Sequence, residues 1–391
     1  MPSSSRFRLA YVTLYDPSEG THWSGLGHAI MASLQQNDIE IIPFGPLTSR
    51  LTPIARCAEA IHSVFSNRYY EFQRERISAI DFANQVRVKL SKDDYDAVLS
   101  VGAPVAVSEL KCRQPLVLWS GATFKCLIDH YGFTEGNSRW SVRAGHEMEH
   151  KALHRASLCL FASDWAAQSA IKHYGVDPSK IKIVPFGANL QTPPDRHAVH
   201  QAIERRSSSS CNLVAIGVEW QRKGMARAVL LASALNARGL PTQLTIVGCH
   251  SPPGVQLPPY ISTTGRIDKT DPAAMSRLTS LLTSAHFHVL LSEAECFGLA
   301  FCEANAFGVP NIAADVGGIP TAVINGRGGW RFASPLDVSE VAAFVEQKFR
   351  DRAAYVAAGR AARDEFDQRL NWRVAGATVR GHIEDVLAQA Q

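Results

Sequence analysis

The chain has 391 residues, 46% hydrophobic and 19% charged, more apolar material than one core usually organises, so two domains are expected. Its 40 Lys and Arg against 36 Asp and Glu leave a net charge of +4, which excludes a strongly basic nucleic-acid-binding surface and leaves peripheral contact with an anionic membrane open. A small disulfide-stapled chain and a disordered one are excluded as well.

In chain order, RLAYVTLY reads as a strand, and the Gly-rich stretch THWSGLGHAIMASL after it opens a helix. The GLG within it is a fragment of the dinucleotide fingerprint. Asp38 or Glu40 could imitate the acid that fingerprint needs, but its third Gly is missing, so NAD binding is disfavoured and Gly25 is expected to bring backbone amides close to a phosphate or a sugar. DAVLSV, PLVLWS, SLCLFAS and KIKIVPFG continue the alternation of strand and helix. Near-continuous apolar strands of this kind imply a parallel sheet covered on both faces. Residues 191–210, QTPPDRHAVHQAIERRSSSS, are polar and Pro-bearing, and are read as a linker.

The pattern restarts with NLVAIG, QLTIVG, YISTTG, HFHVLLS and PNIAAD, and the tail from Pro335 reads as helices, the last one after Asn371 and Trp372. The fold class is therefore α/β, with two Rossmann-like domains. Ligands of open α/β sheets bind outside the carboxyl ends of the strands, so two such domains facing each other would make an interdomain cleft for two substrates. The eight cysteines, Cys57, Cys112, Cys126, Cys159, Cys211, Cys249, Cys296 and Cys302, show no CxxC pair and no His at metal spacing, and read as reduced core residues of a cytosolic protein. The few apolar residues before Asp16 are too short for a signal peptide, and no run reaches the roughly 18 apolar residues of a membrane-spanning helix.

Two segments carry chemistry. In SEAECFGLAFCEANAFGVP a buried strand ends in acids, Phe297 and Gly298 begin a helix, and Glu295 and Glu303 bracket the helix start. Amides around Gly298 and Leu299 would face a diphosphate, Glu295 would accept from sugar hydroxyls, and Glu303 from a ribose diol. In NLVAIGVEWQRKGMARAV the strand ends at Gly217, and Arg222 and Lys223 on the loop before Gly224 would neutralise a diphosphate, Arg by forked hydrogen bonds and Lys as a point charge. Trp23, Trp119 and Trp140 are candidate stacking platforms for sugar rings, with burial in the core as the plainer alternative.

These segments, with ASDWAAQSAIKHYGVDPSKIKIVPFGAN, GGIPTAVINGRGGW and WSGATFKCLIDHYGF, resemble the retaining glycosyltransferases of family 4, which have the GT-B architecture. The resemblance is dense from about Trp119 to Trp372 apart from the linker, and thin before it. It implies an acceptor-binding domain over 1–190 and a donor-binding domain over 191–370, with a final helix, 371–391, crossing back to the first. It implies transfer of a sugar, with retention, from a UDP- or GDP-type donor to a hydroxyl of a glycan, a lipid-linked glycan or a small molecule. It further implies that the nucleotide sugar serves as a co-substrate, with no cofactor and no metal required. By the same likeness Arg222 and Lys223 contact the donor diphosphate, Glu295 faces the sugar near its reacting centre, and Glu303 binds the ribose. The backbone of Gly265, Arg266 and Ile267 would lie against the base.

The sequence also departs from the family. Gly217-Val218 stands where some relatives carry a further Arg, Gly121 stands where Asp is frequent, and neither His22 nor His28 matches the histidine placed near the donor sugar. A non-catalytic nucleotide-sugar sensor and an inverting transferase or epimerase of the same fold are the alternatives.

Overall fold

Among the described residues, every strand that lies in a sheet is paired in parallel. The structure, a computed structural model, describes residues 7–20, 22–49, 75–131, 138–269 and 271–389. The chain divides into two compact units, 1–185 with 372–391, and 186–371.

The first unit is built on β1 (Arg8–Val12), β2 (Glu40–Pro43), β3 (Ala97–Val101), β4 (Leu116–Ser120), β5 (Leu158–Phe161) and β6 (Ile181–Ile183). They form one parallel sheet in the order β2-β1-β3-β4-β5-β6. Strands β3 and β5 are buried along their whole length, as strands covered on both faces must be. The helix Arg139–Arg155 buries Ser141, Gly145, Met148 and Ala152, spaced by three and four so that one face meets the core. The helix Trp372–Gln389 packs on the helix Leu26–Gln35 of the same unit. The contact is close enough that a Cβ on Gly376 would lie 2.5 Å from the Ser33 backbone oxygen, so only glycine lets these two backbones approach.

The second unit carries β7 (Cys211–Ile216), β8 (Thr242–Val247), β9 (Ile261–Thr263), β10 (Phe287–Leu290), β11 (Asn311–Ala314), β12 (Ile324–Asn325) and β13 (Gly328–Phe332). Their order is β12-β13-β11-β10-β7-β8-β9, again all parallel. The chain winds outward from β7 through β8 to β9 and then returns to the other side of β7 with β10. The order thus reverses between β7 and β10, and the loops leaving their carboxyl ends open a crevice there.

The expected linker belongs to this unit. Residues 196–205 form the helix Arg196–Arg205, capped by Asp195, whose carboxylate accepts from the His197 and Ala198 amides. Val199 and Ile203 are buried, and the side chain of Arg206 is bonded to the backbone oxygens of Thr283, Phe307 and Gly308. Four-residue apolar spacing inside a polar, Pro- and Ser-flanked stretch explains why composition pointed to a linker while periodicity makes a packed helix. The division between the units falls at Pro185–Phe186, because Phe186 is buried against Phe297 and the Ala188 amide donates to Leu370, all within the second unit.

The cysteines are only partly core residues. Cys126, Cys159, Cys211 and Cys302 are buried, but Cys249 and Cys296 are half-buried and Cys112 is exposed; Cys57 lies outside the described residues. All seven described ones are free thiols. Burial pushes the Cys159 thiol up to about 12, which keeps it protonated and inert. Among the described residues no helix is long and apolar enough to cross a membrane.

Candidate functional site

The crevice between β7 and β10 is where three of the four sequence-predicted charges, Arg222, Lys223 and Glu295, meet. The loop after β7 carries Arg222 and Lys223, and the loop after β10 carries Glu295. Lys223 Nζ is in contact with Glu295 Oε2, and Arg222 Nη1 stands 3.9 Å from the same oxygen. Glu295 is 7% exposed, so its charge is met by two cations in a largely desolvated place.

Backbone contacts lock the two loops together. The Glu293 amide donates to the Arg222 oxygen at 2.8 Å, and Arg222 Nη1 donates to the Ala294 oxygen at 3.1 Å. Arg222 also pairs with Glu219, donating from Nε to Oε2 at 2.9 Å, and this bond holds the Glu219 carboxyl below its ordinary range. Behind Glu295, its backbone oxygen accepts from the Gly318 amide at 2.9 Å, which gives the GGIP segment a structural purpose.

A second cluster surrounds Glu303. The helix Leu299–Ala306 starts at Gly298, whose φ of 91° is a left-handed conformation that favours glycine, and Glu303 lies in its second turn. Glu303 is 3% exposed and pairs with Lys269, which sits on the loop between β9 and the helix Pro272–Ser284. The four predicted charges therefore separate: Lys223 and Arg222 meet Glu295, while Glu303 pairs with Lys269, a residue the sequence had not singled out.

Asn311, at the start of β11, fixes this helix from behind. Its side-chain nitrogen donates to the Asn305 Oδ1 at 2.8 Å and to the Phe301 oxygen at 3.2 Å, while its Oδ1 meets His288 Nδ1 at 2.8 Å. Since the Asn311 nitrogen is the donor elsewhere, His288 Nδ1 is the donor in that bond. Burial, opposed by the Asn311 bond and reinforced by the nearby Lys223 charge, pushes His288 down to about 4, so its ring is neutral at physiological pH.

Some expected contacts lie elsewhere. Phe297 is 2% exposed and its ring packs edge-on against Phe186, so its side chain belongs to the core and cannot line a substrate site. Trp119 is also fully buried, edge-on to Trp372 at 6.3 Å, and has no ring face open to a sugar; a strand covered on both faces buries its last aromatic residue too. Leu299 is half-buried at the helix start, Arg266 is exposed and Ile267 half-buried on the loop after β9. The Gly265 oxygen on that loop accepts from the Gly248 amide, which joins the carboxyl ends of β8 and β9.

In the first unit the strand order reverses between β1 and β3. There Trp23, Ser24 and Gly25 take φ of 49°, 55° and 77° in succession, and the Trp23 ring lies against Gly102 after β3. Trp23 is 36% exposed there, whereas Trp140, 73% exposed, lies on the first turn of the helix Arg139–Arg155. Lys269, Asn311 and His288 were missed by sequence reasoning. The two polar residues are hidden inside apolar strands, and an isolated lysine in GRIDKTD carries no motif.

A parallel sheet with a charged crevice at its strand-order reversal defines a class, the α/β proteins that bind nucleotide-type ligands at that point. The chain belongs to the GT-B glycosyltransferases of family 4: residues 28–192 match the family described as Glycosyltransferase Family 4, and residues 213–365 match that described as Glycosyl transferases group 1. Solved structures agree on the fold. The chain is similar to sucrose-phosphate synthase from Thermosynechococcus elongatus, with 16% identity and a TM-score of 0.68 over 98% of this chain and 100% of that one. It is similar to HepE of Anabaena, solved in complex with UDP-glucose, with 16% identity and a TM-score of 0.62 over 98% and 100%. WaaG, a glycosyltransferase involved in lipopolysaccharide biosynthesis, matches with 15% identity and a TM-score of 0.58 over 97% and 99%. No curated protein matches the sequence.

Proposed function

We propose that the chain is a retaining, metal-independent hexosyltransferase that moves a sugar from a UDP- or GDP-type donor to a hydroxyl of a glycan, a lipid-linked glycan or a small molecule. The observation that carries this reading is the convergence of Lys223 and Arg222 on Glu295 in the crevice between β7 and β10. The two cations and the amides around Gly298 and Leu299 stabilise the diphosphate as the bond from its oxygen to the anomeric carbon breaks. The acceptor oxygen bonds to that carbon on the same face, and its proton passes to the departing phosphate oxygen. Glu295 orients the sugar and balances the positive charge that develops on its ring. Geometry and fixed charge then supply the catalysis, with no protein nucleophile. HepE, solved with UDP-glucose, supports a uridine donor. The strained Trp23–Gly25 turn against Gly102 is the acceptor-side candidate in the first unit, since strain of this kind gathers at binding sites.

Incubating the protein with UDP-, GDP-, ADP- and TDP-sugars should give slow hydrolysis of one class. NMR of the sugar at the moment of release should show the donor's own anomeric configuration. No turnover with any donor would leave a sensor in place of an enzyme, and an inverted product would remove the retaining mechanism.

Glu303→Ala should weaken donor binding by about tenfold or more while the chemical step changes less, because a buried carboxylate contributes on the order of 1.5–3 kcal/mol through hydrogen bonds to its ligand. An unchanged donor Kd by calorimetry would remove the ribose assignment.

A further inference from the structure

A carboxylate as buried as Glu303 has to be met by a cation and by hydrogen bonds. Its cation comes from a different element. The Lys269 ammonium contacts Glu303 Oε1 and also donates to the Asn189 backbone oxygen at 3.4 Å. The lysine is therefore anchored at two points, although its side chain is 42% exposed.

The backbone under Glu303 is fixed independently. Asn311 donates to the Phe301 backbone oxygen, two residues before Glu303, and to the Asn305 side chain, two residues after it. That leaves the side-chain torsions of Glu303 as the remaining freedom, and a contact between Lys269 and one carboxylate oxygen removes it. A carboxylate only accepts hydrogen bonds, so a fixed one selects a ligand that presents donors at a set place, as a vicinal diol does.

We propose that Lys269 is a positioning residue for the nucleotide: it holds the Glu303 carboxylate in the orientation that accepts from the ribose hydroxyls. The inference rests on the reading of Glu303 as the ribose ligand. Its contribution is pre-organisation, so removing the lysine weakens the ribose contact without touching the diphosphate or the base.

The test is calorimetric titration of UDP, GDP and ADP, and of their 2′,3′-dideoxy counterparts, into the wild-type protein, Lys269→Ala and Glu303→Gln. For the tightest of the three diphosphates, both variants should raise Kd by about tenfold, the scale of one charge-assisted hydrogen bond. For its dideoxy counterpart, which has no hydroxyls to hold, both should raise Kd by less than about twofold. If Glu303→Gln weakens the parent more than its dideoxy counterpart, but Lys269→Ala weakens the two equally or weakens neither, the role of Lys269 is overturned and the ribose reading survives. If Glu303→Gln leaves every Kd unchanged, the ribose reading itself falls. Failure of the wild-type protein to bind any of the three diphosphates removes both.

Discussion

Lys223→Ala is expected to lower turnover at saturating donor by about a hundredfold or more, the scale on which one preorganised electrostatic donor acts in a desolvated site. The Lys223 side chain is 13% exposed and its ammonium contacts Glu295, so its charge acts where water screens it little. Alanine leaves Arg222, 3.9 Å from Glu295 and already engaged with Glu219 and the Ala294 oxygen, as the remaining cation of the cluster. Lys223→Arg should recover only part of the loss, because a planar fork does not replace a compact point charge reaching between two loops. Steady-state kinetics with matched thermal melts separates this from misfolding. A variant with the wild-type melting point and near-full kcat would remove Lys223 from the catalytic machinery.

Gly224→Ala is expected to destabilise the second unit by about 2–5 kcal/mol, combining the strain of a left-handed alanine with a backbone clash. Gly224 has φ of 68°, and a Cβ there would lie 2.1 Å from the Leu291 oxygen just past β10. Neither side of that contact is a flexible side chain that could move away. The midpoint of thermal unfolding should fall by about 4–20 °C, given about 2–4 °C per kcal/mol for a domain of this size. Activity should fall further, since Gly224 follows Lys223 directly and opens the helix Met225–Ala237. Gly381→Ala, in the helix Trp372–Gln389 with nothing within 4 Å of the added carbon, is the matched control and should stabilise by up to about 1 kcal/mol. An unchanged melting point for Gly224→Ala would show that the two loops can part without cost.

The strands that were legible are those whose apolar run is unbroken. HFHVLLS and NLVAIG stand out because both faces of β10 and β7 are covered. Strand β12 is two residues long and β13 opens on Gly328-Gly329, so neither stands out against the turn between them. The helix Arg196–Arg205 was hidden by its flanking prolines and serines, although Val199 and Ile203 already had helical spacing. Aromatic residues misled in a different way. Phe297 and Trp119 lie in site-like segments, yet the core takes both rings, because large apolar surfaces are stabilised most by leaving water.

By itself the sequence determined the parallel α/β class, the acid and cation segments, and the helix start between Glu295 and Glu303, because each of these depends on neighbours a few residues apart. Only the tertiary structure decided which charges meet. Lys223 and Glu295 are 72 positions apart, and Lys269 and Glu303 are 34 apart. What joins the first pair is the return of β10 to the inner side of β7, and what joins the second is the loop that leaves β9 at the far edge of the same sheet. Strand order in a parallel sheet is set by how the crossover helices pack on its faces, an energy summed over the whole unit that no local pattern records.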